Sequence, residues 1–134
     1  AGGDAGSVAS LSYGENGITG TLEEVPKEKL INSVPFYTRV WTEKDGKTTS
    51  KAYGITAAQN WVDENNVELT WQDNVGQYYG EVENENGIQK IWMEETKSLG
   101  LKKDLVNKYD LAGIACWKLG FETADIWDVM NDVN

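Results

Sequence analysis

The sequence predicts an α+β fold in which an antiparallel sheet with its own helix is inserted into a parallel strand-and-helix scaffold. In the middle of the 134-residue chain, alternating apolar and polar residues are separated by tight-turn signals, which is typical of antiparallel strands. Near the C-terminus a helical stripe, an unbroken apolar run and a second helical stripe follow one another, which is the order of an α/β unit. The length suits a single modest domain.

The first third of the chain leads from a glycine-rich segment into a strand. Residues 1–20 are rich in Gly, Ser and Ala and predict a loop or a weakly formed helix, and Pro26 disfavours a long helix after them. Alternation from residue 34 onward predicts a strand, with Pro35 where its pairing is interrupted. Val34, Phe36 and Val40 are expected on one face of that strand, and Tyr37, Arg39 and Trp41 on the other.

The middle third predicts a meander packed on a helix. Asp45-Gly46 is a hairpin-turn signal, because both positions of such a turn need positive φ. Residues 55–65 predict a helix with a capping box at Thr56 and Gln59. Three strands are then expected: one carrying Val67, Leu69 and Trp71, and two more at 77–83 and 88–93 around an Asn86-Gly87 turn.

The last third predicts a helix, a strand and a short helix. Residues 98–109 carry a helical apolar stripe, and the carboxylates of Glu94 and Glu95 just before it suit the positive end of the helix dipole. Residues 111–117 are apolar without alternation, as expected of a parallel strand buried on both faces. Thr123 is expected to cap a last short helix with Ile126, Met130 and Val133 on one side.

Charge and residue content exclude several functions. Twelve Lys and Arg stand against 22 Asp and Glu, a net charge of -10, so nucleic acid and membrane surfaces are poor partners. The sequence has no His, which excludes Ser-His-Asp and Cys-His catalysis. It has a single Cys, Cys116, so His/Cys zinc sites and an internal disulfide are excluded as well. We expect no cofactor and no metal. Six Trp and six Tyr could pack a core or stack on sugar rings, and Trp61 and Trp71 fit the core of the middle segment.

Three segments in order resemble glycoside hydrolase family 18, especially its bacterial branch acting on spore or cell-wall glycans. Residues 29–41, with Val34-Pro35-Phe36-Tyr37, are similar to the family's seventh barrel strand, although Ser33 stands where Gly is usual. Residues 92–102 are similar to the return from the family's insertion domain, and residues 111–120 to the eighth strand. The resemblance implies barrel-derived segments at 1–42 and 96–134, the last two strand-helix units of a (β/α)8 barrel, around an inserted antiparallel subdomain at 43–95.

The resemblance also implies an enzyme that cleaves glycans containing N-acetylglucosamine, such as chitin or peptidoglycan. In that family the acetamido oxygen of the substrate is the nucleophile, and one carboxylic acid in an Asp-x-x-Asp-x-Glu motif protonates the leaving oxygen. This sequence lacks the motif; its nearest run, 125–130, has no Glu and falls on a predicted helix. We therefore expect a C-terminal part of a longer hydrolase, with no catalytic residue and no activity of its own.

The resemblance casts four residues as substrate-binding. Trp117 ends the apolar strand, where active sites of such barrels lie, and would stack under a sugar, with a core Trp as the alternative. Tyr37 and Arg39 could donate hydrogen bonds to sugar oxygens, although Arg39 could instead pair with a carboxylate. Trp41 could extend the cleft wall or simply pack.

Two other kinds of protein remain open on the residues alone. One is a free-standing carbohydrate-binding or cell-wall-binding module without catalysis. The other is an interaction protein of spore or envelope assembly. The expected partner is an acetamido-sugar polysaccharide, at an extracellular, cell-wall or spore location by resemblance. Open strand edges lead us to expect that the isolated chain self-associates or rearranges its N-terminal segment.

Overall fold

The computed structural model describes residues 3–133 and has a mixed α/β fold with two separate sheets. The elements follow in the order α1 (Leu11–Leu22), a 3-10 turn (Lys27–Lys29), β1 (Ile31–Pro35), β2 (Tyr37–Lys44), β3 (Lys47–Gly54), α2 (Ile55–Glu64), β4 (Thr70–Gln72), β5 (Gln77–Asn84), β6 (Gly87–Met93), α3 (Thr96–Lys108), β7 (Gly113–Trp117) and α4 (Ile126–Met130). None of these helices is both long and apolar enough to cross a bilayer.

The five-stranded sheet is antiparallel and has the strand order β3-β2-β6-β5-β4. Its first hairpin turns at Asp45 and Gly46, both with positive φ, as the sequence predicts. The second hairpin pairs Asn84 with Gly87, so the hairpin is confirmed, but its turn residues are Glu85 and Asn86, one position earlier than predicted. Since β2 begins at Tyr37, residues 37–42 belong to this sheet, although the resemblance groups them with the flanking segments.

One face of the five-stranded sheet packs on α2. Val40, Ile91 and Met93 meet Ala58, Trp61 and Val62 of the helix in a single buried cluster. Trp61 therefore belongs to the core of this part of the chain, as predicted. Burial of each large apolar side chain in such a cluster is worth about 1.5–3 kcal/mol.

The second sheet is the parallel pair β1 and β7, in register from Ile31 opposite Gly113 to Pro35 opposite Trp117. Only Phe36 separates β1 from β2, and its N–H donates to the Trp117 carbonyl at 2.7 Å. The Phe36 ring is fully buried and meets Trp127 of α4 edge to face, with 5.9 Å between ring centroids. The chain thus passes from one sheet to the other through one fixed residue.

Three local predictions are wrong. Gly54, not Thr56, precedes α2, and the first helical N–H, that of Ile55, is satisfied by the Phe121 carbonyl at 2.8 Å, so no capping box forms. Asp125 rather than Thr123 precedes α4, and no side chain caps it. The third is the burial of β7: the strand is parallel as predicted but only half-buried, and its end is open to solvent.

The N-terminal segment forms a full helix despite its glycines. Helix α1 runs for 12 residues, because Ile18 packs into a cluster with Leu105, Val106 and Leu111. At its surface Glu15 accepts hydrogen bonds from Lys108 at 2.5 Å and from the Tyr109 hydroxyl at 2.7 Å. Tertiary packing therefore outweighs the poor helix propensity of three glycines.

Candidate functional site

Trp117 is an exposed aromatic residue at a strand end, with 64% of its surface open to solvent. It closes β7, and the peptide bond that follows it is cis. A large aromatic ring left in water at the carboxyl end of a parallel strand presents a flat apolar surface that the core does not use. This is where the ends of parallel strands carry functional side chains in barrel folds.

A groove of about 280 Å³ adjoins this ring. Tyr37, the first residue of β2, shares the groove with Trp117, so the structure brings two of the four predicted residues together. Its remaining lining comes from the end of β1 and from the segment before α1. These residues are Val8, Ala9, Ser33, Val34 and Pro35.

Arg39 and Trp41 lie further along β2, on the face of the sheet that is turned away from α2. Arg39 donates to the Ser50 hydroxyl of β3 at 2.7 Å, so its guanidinium is held by a neutral partner rather than by a carboxylate. Trp41 is only 7% exposed and donates its indole N–H to the Gly6 carbonyl at 2.7 Å. A tryptophan covered in this way supports the surface above it instead of offering a free ring.

The same face carries an aromatic pair that was not expected from the sequence. Trp41 is opposite Lys90, so Trp92, two residues on, shares its face, and Trp92 is itself opposite Tyr79. The rings of Tyr79 and Trp92 are 4.8 Å apart, and both are half-buried. The turn at Glu85 and Asn86 fixes this register. A turn at Asn86-Gly87, as predicted, would pair Trp92 with Glu81 instead, so the sequence did not indicate the aromatic pair.

Polar groups around the pair are already oriented. Tyr79 donates its hydroxyl to Glu81, and the Trp92 indole N–H donates to the Gln72 side-chain oxygen at 3.2 Å. Burial, followed by the Glu81 contact, raises the pKa of Tyr79, so the phenol keeps its proton at neutral pH. Lys90 and Glu43 form an ion pair at 2.9 Å on the same face. Together these side chains make a rigid, amphipathic wall.

A buried charged cluster lies beneath this wall. The Glu94 carboxylate is fully buried and accepts from Lys102, from Ser98 at 2.8 Å and from the Gln77 amide at 2.7 Å. Burial raises the pKa of Glu94, against the lowering effect of Lys102. The expectation that Glu94 and Glu95 both serve the start of a helix holds for one of them. Glu95 caps α3 by accepting from the Ser98 N–H at 2.8 Å, whereas Glu94 belongs to the interior.

A second cavity of about 400 Å³ lies on the other side of the sheet, between α2 and the start of α3. None of the four predicted residues lines it. Its floor is apolar, with Ile55, Leu69, Tyr78 and Met93, and the carboxylate of Glu95 at its rim is engaged in capping. The geometry of the exposed tryptophan therefore favours the smaller groove as the functional site.

The chain belongs to a family of glycoside hydrolases. The sequence profile of glycosyl hydrolases family 18 matches residues 9–122, which confirms the resemblance. The cortical fragment-lytic enzyme of Bacillus subtilis (strain 168) is 25% identical over 134 residues, which cover 98% of this chain and 31% of that protein. The cortical fragment-lytic enzyme of Bacillus anthracis is 24% identical over 110 residues, 80% of this chain and 26% of that protein.

Solved structures have the same fold. A chitinase from Chromobacterium violaceum superposes with a TM-score of 0.88 at 23% identity, over 96% of this chain and 40% of that one. The spore cortex-lytic enzyme of Bacillus megaterium superposes with a TM-score of 0.87 at 24% identity, over 99% of this chain and 32% of that one. The chain spans about a third of the length of the curated relatives it matches.

Proposed function

We propose that this chain supplies part of the sugar-binding cleft of a hydrolase acting on glycans that contain N-acetylglucosamine, such as chitin or peptidoglycan. The observation that carries the proposal is Trp117, whose ring is 64% exposed at the carboxyl end of a parallel strand. An indole in this position offers a rigid apolar face to the apolar face of a pyranose ring, and the adjoining groove has room for part of a sugar.

The neighbouring residues take different roles around this platform. Tyr37 shares the groove and donates a hydrogen bond to a sugar oxygen. Arg39, held by Ser50, presents its remaining guanidinium donors from the same face of β2. Trp41 is buried, so we assign it to supporting the wall rather than touching the sugar. Tyr79 and Trp92 extend the wall to a more distant sugar ring.

Cleavage needs a group that this sequence does not contain. The Asp-x-x-Asp-x-Glu motif is absent, and residues 126–130 of its nearest run form α4. Glu94 is the fully buried carboxyl among the described residues, and three donors already engage it, so it has no access to a glycosidic oxygen. We infer that the chain alone binds glycan without hydrolysing it, and that the general acid lies elsewhere in the parent barrel.

We assign the parallel pair β1 and β7 with helices α1, α3 and α4 to the barrel, and the five-stranded sheet with α2 to an insertion. The sheet begins at Tyr37, so this places the junction at Phe36 rather than at residue 42. The names of the relatives, cortical fragment-lytic enzymes and chitinases, support a cell-wall or spore location and an acetamido-sugar polymer as partner. A net charge of -10 disfavours nucleic acid and anionic membrane as partners.

The test is an NMR titration of this chain, with the Trp indole signals assigned, against N-acetylglucosamine oligomers. We expect fast-exchange shifts centred on the Trp117 indole, accompanied by shifts of the Ser33 and Tyr37 backbone amides that line the same groove. Those amide shifts should disappear in Trp117→Ala and persist in the control Trp71→Ala, on the opposite face of the five-stranded sheet. No shift at any Trp at millimolar sugar would refute binding by this part of the cleft. Affinity in the micromolar range without the rest of the barrel would favour the alternative of a dedicated carbohydrate-binding module.

A further inference from the structure

The segment before α1 forms one side of the Trp117 groove through Val8 and Ala9. It has no regular secondary structure and depends on three anchors for its position. The Gly6 carbonyl accepts from the Trp41 indole at 2.7 Å, the Leu11 N–H donates to the Val75 carbonyl at 2.8 Å, and the Ser7 hydroxyl donates to the Gln77 side chain. The anchors at Gly6 and Ser7 are adjacent and the third is at the start of α1, and of the three residues Ser7 is the one directly bonded to Val8.

Gln77 is fully buried at the start of β5 and joins Ser7 to the interior. Its amide nitrogen donates to Glu94 at 2.7 Å, and its amide oxygen accepts from Ser7. A carboxylate can only accept, so Glu94 compels the amide nitrogen to face inward and the oxygen to face Ser7. Among the side chains of similar size, only an amide donates at one end and accepts at the other; a Glu would face a second carboxylate, and a Met would offer neither bond.

The inner end of this relay is itself fixed. Glu94 follows β6, Lys102 and Ser98 belong to α3, and the Glu94 N–H donates to the Thr38 hydroxyl of β2 at 2.8 Å. The orientation of the Gln77 amide is therefore fixed by residues at the end of β6 and on α3, which are distant from Gln77 in sequence. Buried polar networks with every member satisfied hold a single arrangement.

We propose that Gln77 is a positioning residue of the sugar-binding groove: it transmits the fixed geometry of the Glu94–Lys102 pair to Ser7 and so holds Val8 and Ala9 against the side of the Trp117 groove. The proposal rests on the proposed function for its effect on sugar binding, and on the hydrogen bonds alone for its effect on the segment. Gln77 itself touches no sugar.

The test uses Ser7→Ala, which removes the partly exposed Ser7 hydroxyl that binds Gln77 and leaves the buried Glu94–Lys102 pair intact. We expect affinity for N-acetylglucosamine oligomers to fall about 3- to 10-fold, as for the loss of one hydrogen bond. The backbone amides of Val8 and Ala9 should become more mobile by NMR relaxation. The unfolding midpoint should fall as well, because the buried Gln77 oxygen loses its donor. Ser12→Ala, at an exposed serine of α1, should change neither the mobility nor the sugar affinity. Ser7→Thr keeps the hydroxyl and should restore both readouts.

A double variant of Ser7 and Gln77 shows whether the two residues act on sugar affinity as one hydrogen-bonded chain or as two independent contacts. In the background Gln77→Met, which we expect to be weaker in binding itself, Ser7→Ala should cause no further loss. Additive losses, or unchanged sugar affinity in Ser7→Ala, would overturn the proposal. If the native chain binds no sugar, the proposed function fails, and the mobility of Val8 and Ala9 then decides: a rise in Ser7→Ala supports the positioning role and no change overturns it.

Discussion

Glu94 and Lys102 form an ion pair whose side chains are 0% and 5% exposed. They stand eight residues apart, and Ser98 lies midway between them and binds the same carboxylate. Ser98 and Lys102 are one helical turn apart on α3, so their side chains share a face of the helix, and Glu94 reaches both from the residue that follows β6. The pair therefore joins the end of the five-stranded sheet to the helix that leads back to β7.

Removing Lys102 should destabilise the chain strongly. In Lys102→Met the Glu94 carboxylate loses its countercharge, and breaking a buried pair from one side costs about 3–5 kcal/mol. Lys102 lowers the pKa of Glu94, so its loss should raise that pKa further above its ordinary value. A carboxyl with a raised folded-state pKa contributes stability that is present below its unfolded pKa and is lost as pH rises through the folded value.

The loss of unfolding free energy in Lys102→Met should therefore be small below about pH 4.5, where Glu94 is protonated, and should grow as pH rises. Urea unfolding at several pH values measures it. The double variant Glu94→Gln/Lys102→Met, which removes both charges of the pair, should recover much of the loss at neutral pH. A deficit of equal size at all pH values would contradict the buried carboxylate as its cause.

Trp92 should matter only for long oligomers. Its ring pairs with Tyr79 on the sheet face beyond the Trp117 groove, and such aromatic contacts are worth about 0.5–1.5 kcal/mol. We expect Trp92→Ala to weaken binding of the longest N-acetylglucosamine oligomers about 3- to 10-fold while leaving the disaccharide unaffected. Titration calorimetry across the oligomer series checks this, with Trp71→Ala unchanged throughout. Equal weakening for all lengths would contradict the assignment of this pair to a separate sugar ring.

Two glycines with positive φ should differ in their tolerance of a side chain. Gly46 has φ 72° and open space where a Cβ would stand, whereas at Gly87, with φ 113°, a Cβ would collide with the Glu43 carbonyl oxygen. We expect Gly46→Ala to cost about 1 kcal/mol in unfolding free energy and Gly87→Ala at least about twice as much. Chemical denaturation of both variants measures the difference, and equal costs would show that the β5–β6 hairpin can move away from Glu43.

The isolated chain should self-associate through the parallel pair. Among the described residues β1 and β7 pair only with each other, and Ile31 of β1 is 56% exposed. An uncovered parallel edge with exposed apolar side chains favours pairing between copies. Size-exclusion chromatography with light scattering should show a concentration-dependent dimer that Ile31→Lys weakens and Ile88→Lys, on the other sheet, does not. A monomer at all concentrations would refute this.

The features of the fold that could be predicted from the sequence are those that depend on residues close together in the chain. The positive φ of Asp45 and Gly46 and the period of α2 depend on neighbouring residues alone, so they could be predicted. Helix α1 could not, because its stability comes from Ile18 packing on residues nearly 90 positions away. Capping failed at Thr56 for a related reason: a carbonyl from Phe121, distant in sequence, satisfies the Ile55 N–H.

In the candidate site, the sequence could predict the residues at exposed strand ends, but it could not predict which residues are buried by distant parts of the chain. The exposure of Trp117 and its proximity to Tyr37 could be anticipated because strand ends can be located from sequence. Trp41 gave no sign that Gly6 would cover it, since the contact joins residues 35 positions apart. Glu94 was taken for a helix-start carboxylate because its neighbour Glu95 is one. The four-residue spacing to Ser98 and Lys102 was the available signal.

The single residue between the two sheets, Phe36, limits where the five-stranded sheet can change in length. Its N–H is bonded to the Trp117 carbonyl and its ring is sealed against Trp127, so an insertion or deletion there would shift the wall and the platform together. The hairpin tips at Asp45–Gly46 and Glu85–Asn86 are exposed and lie at the far ends of β2 and β5. Lineages can therefore lengthen or shorten the two hairpins at their tips, and so reshape this face of the sheet, while the Trp117 ring keeps its position.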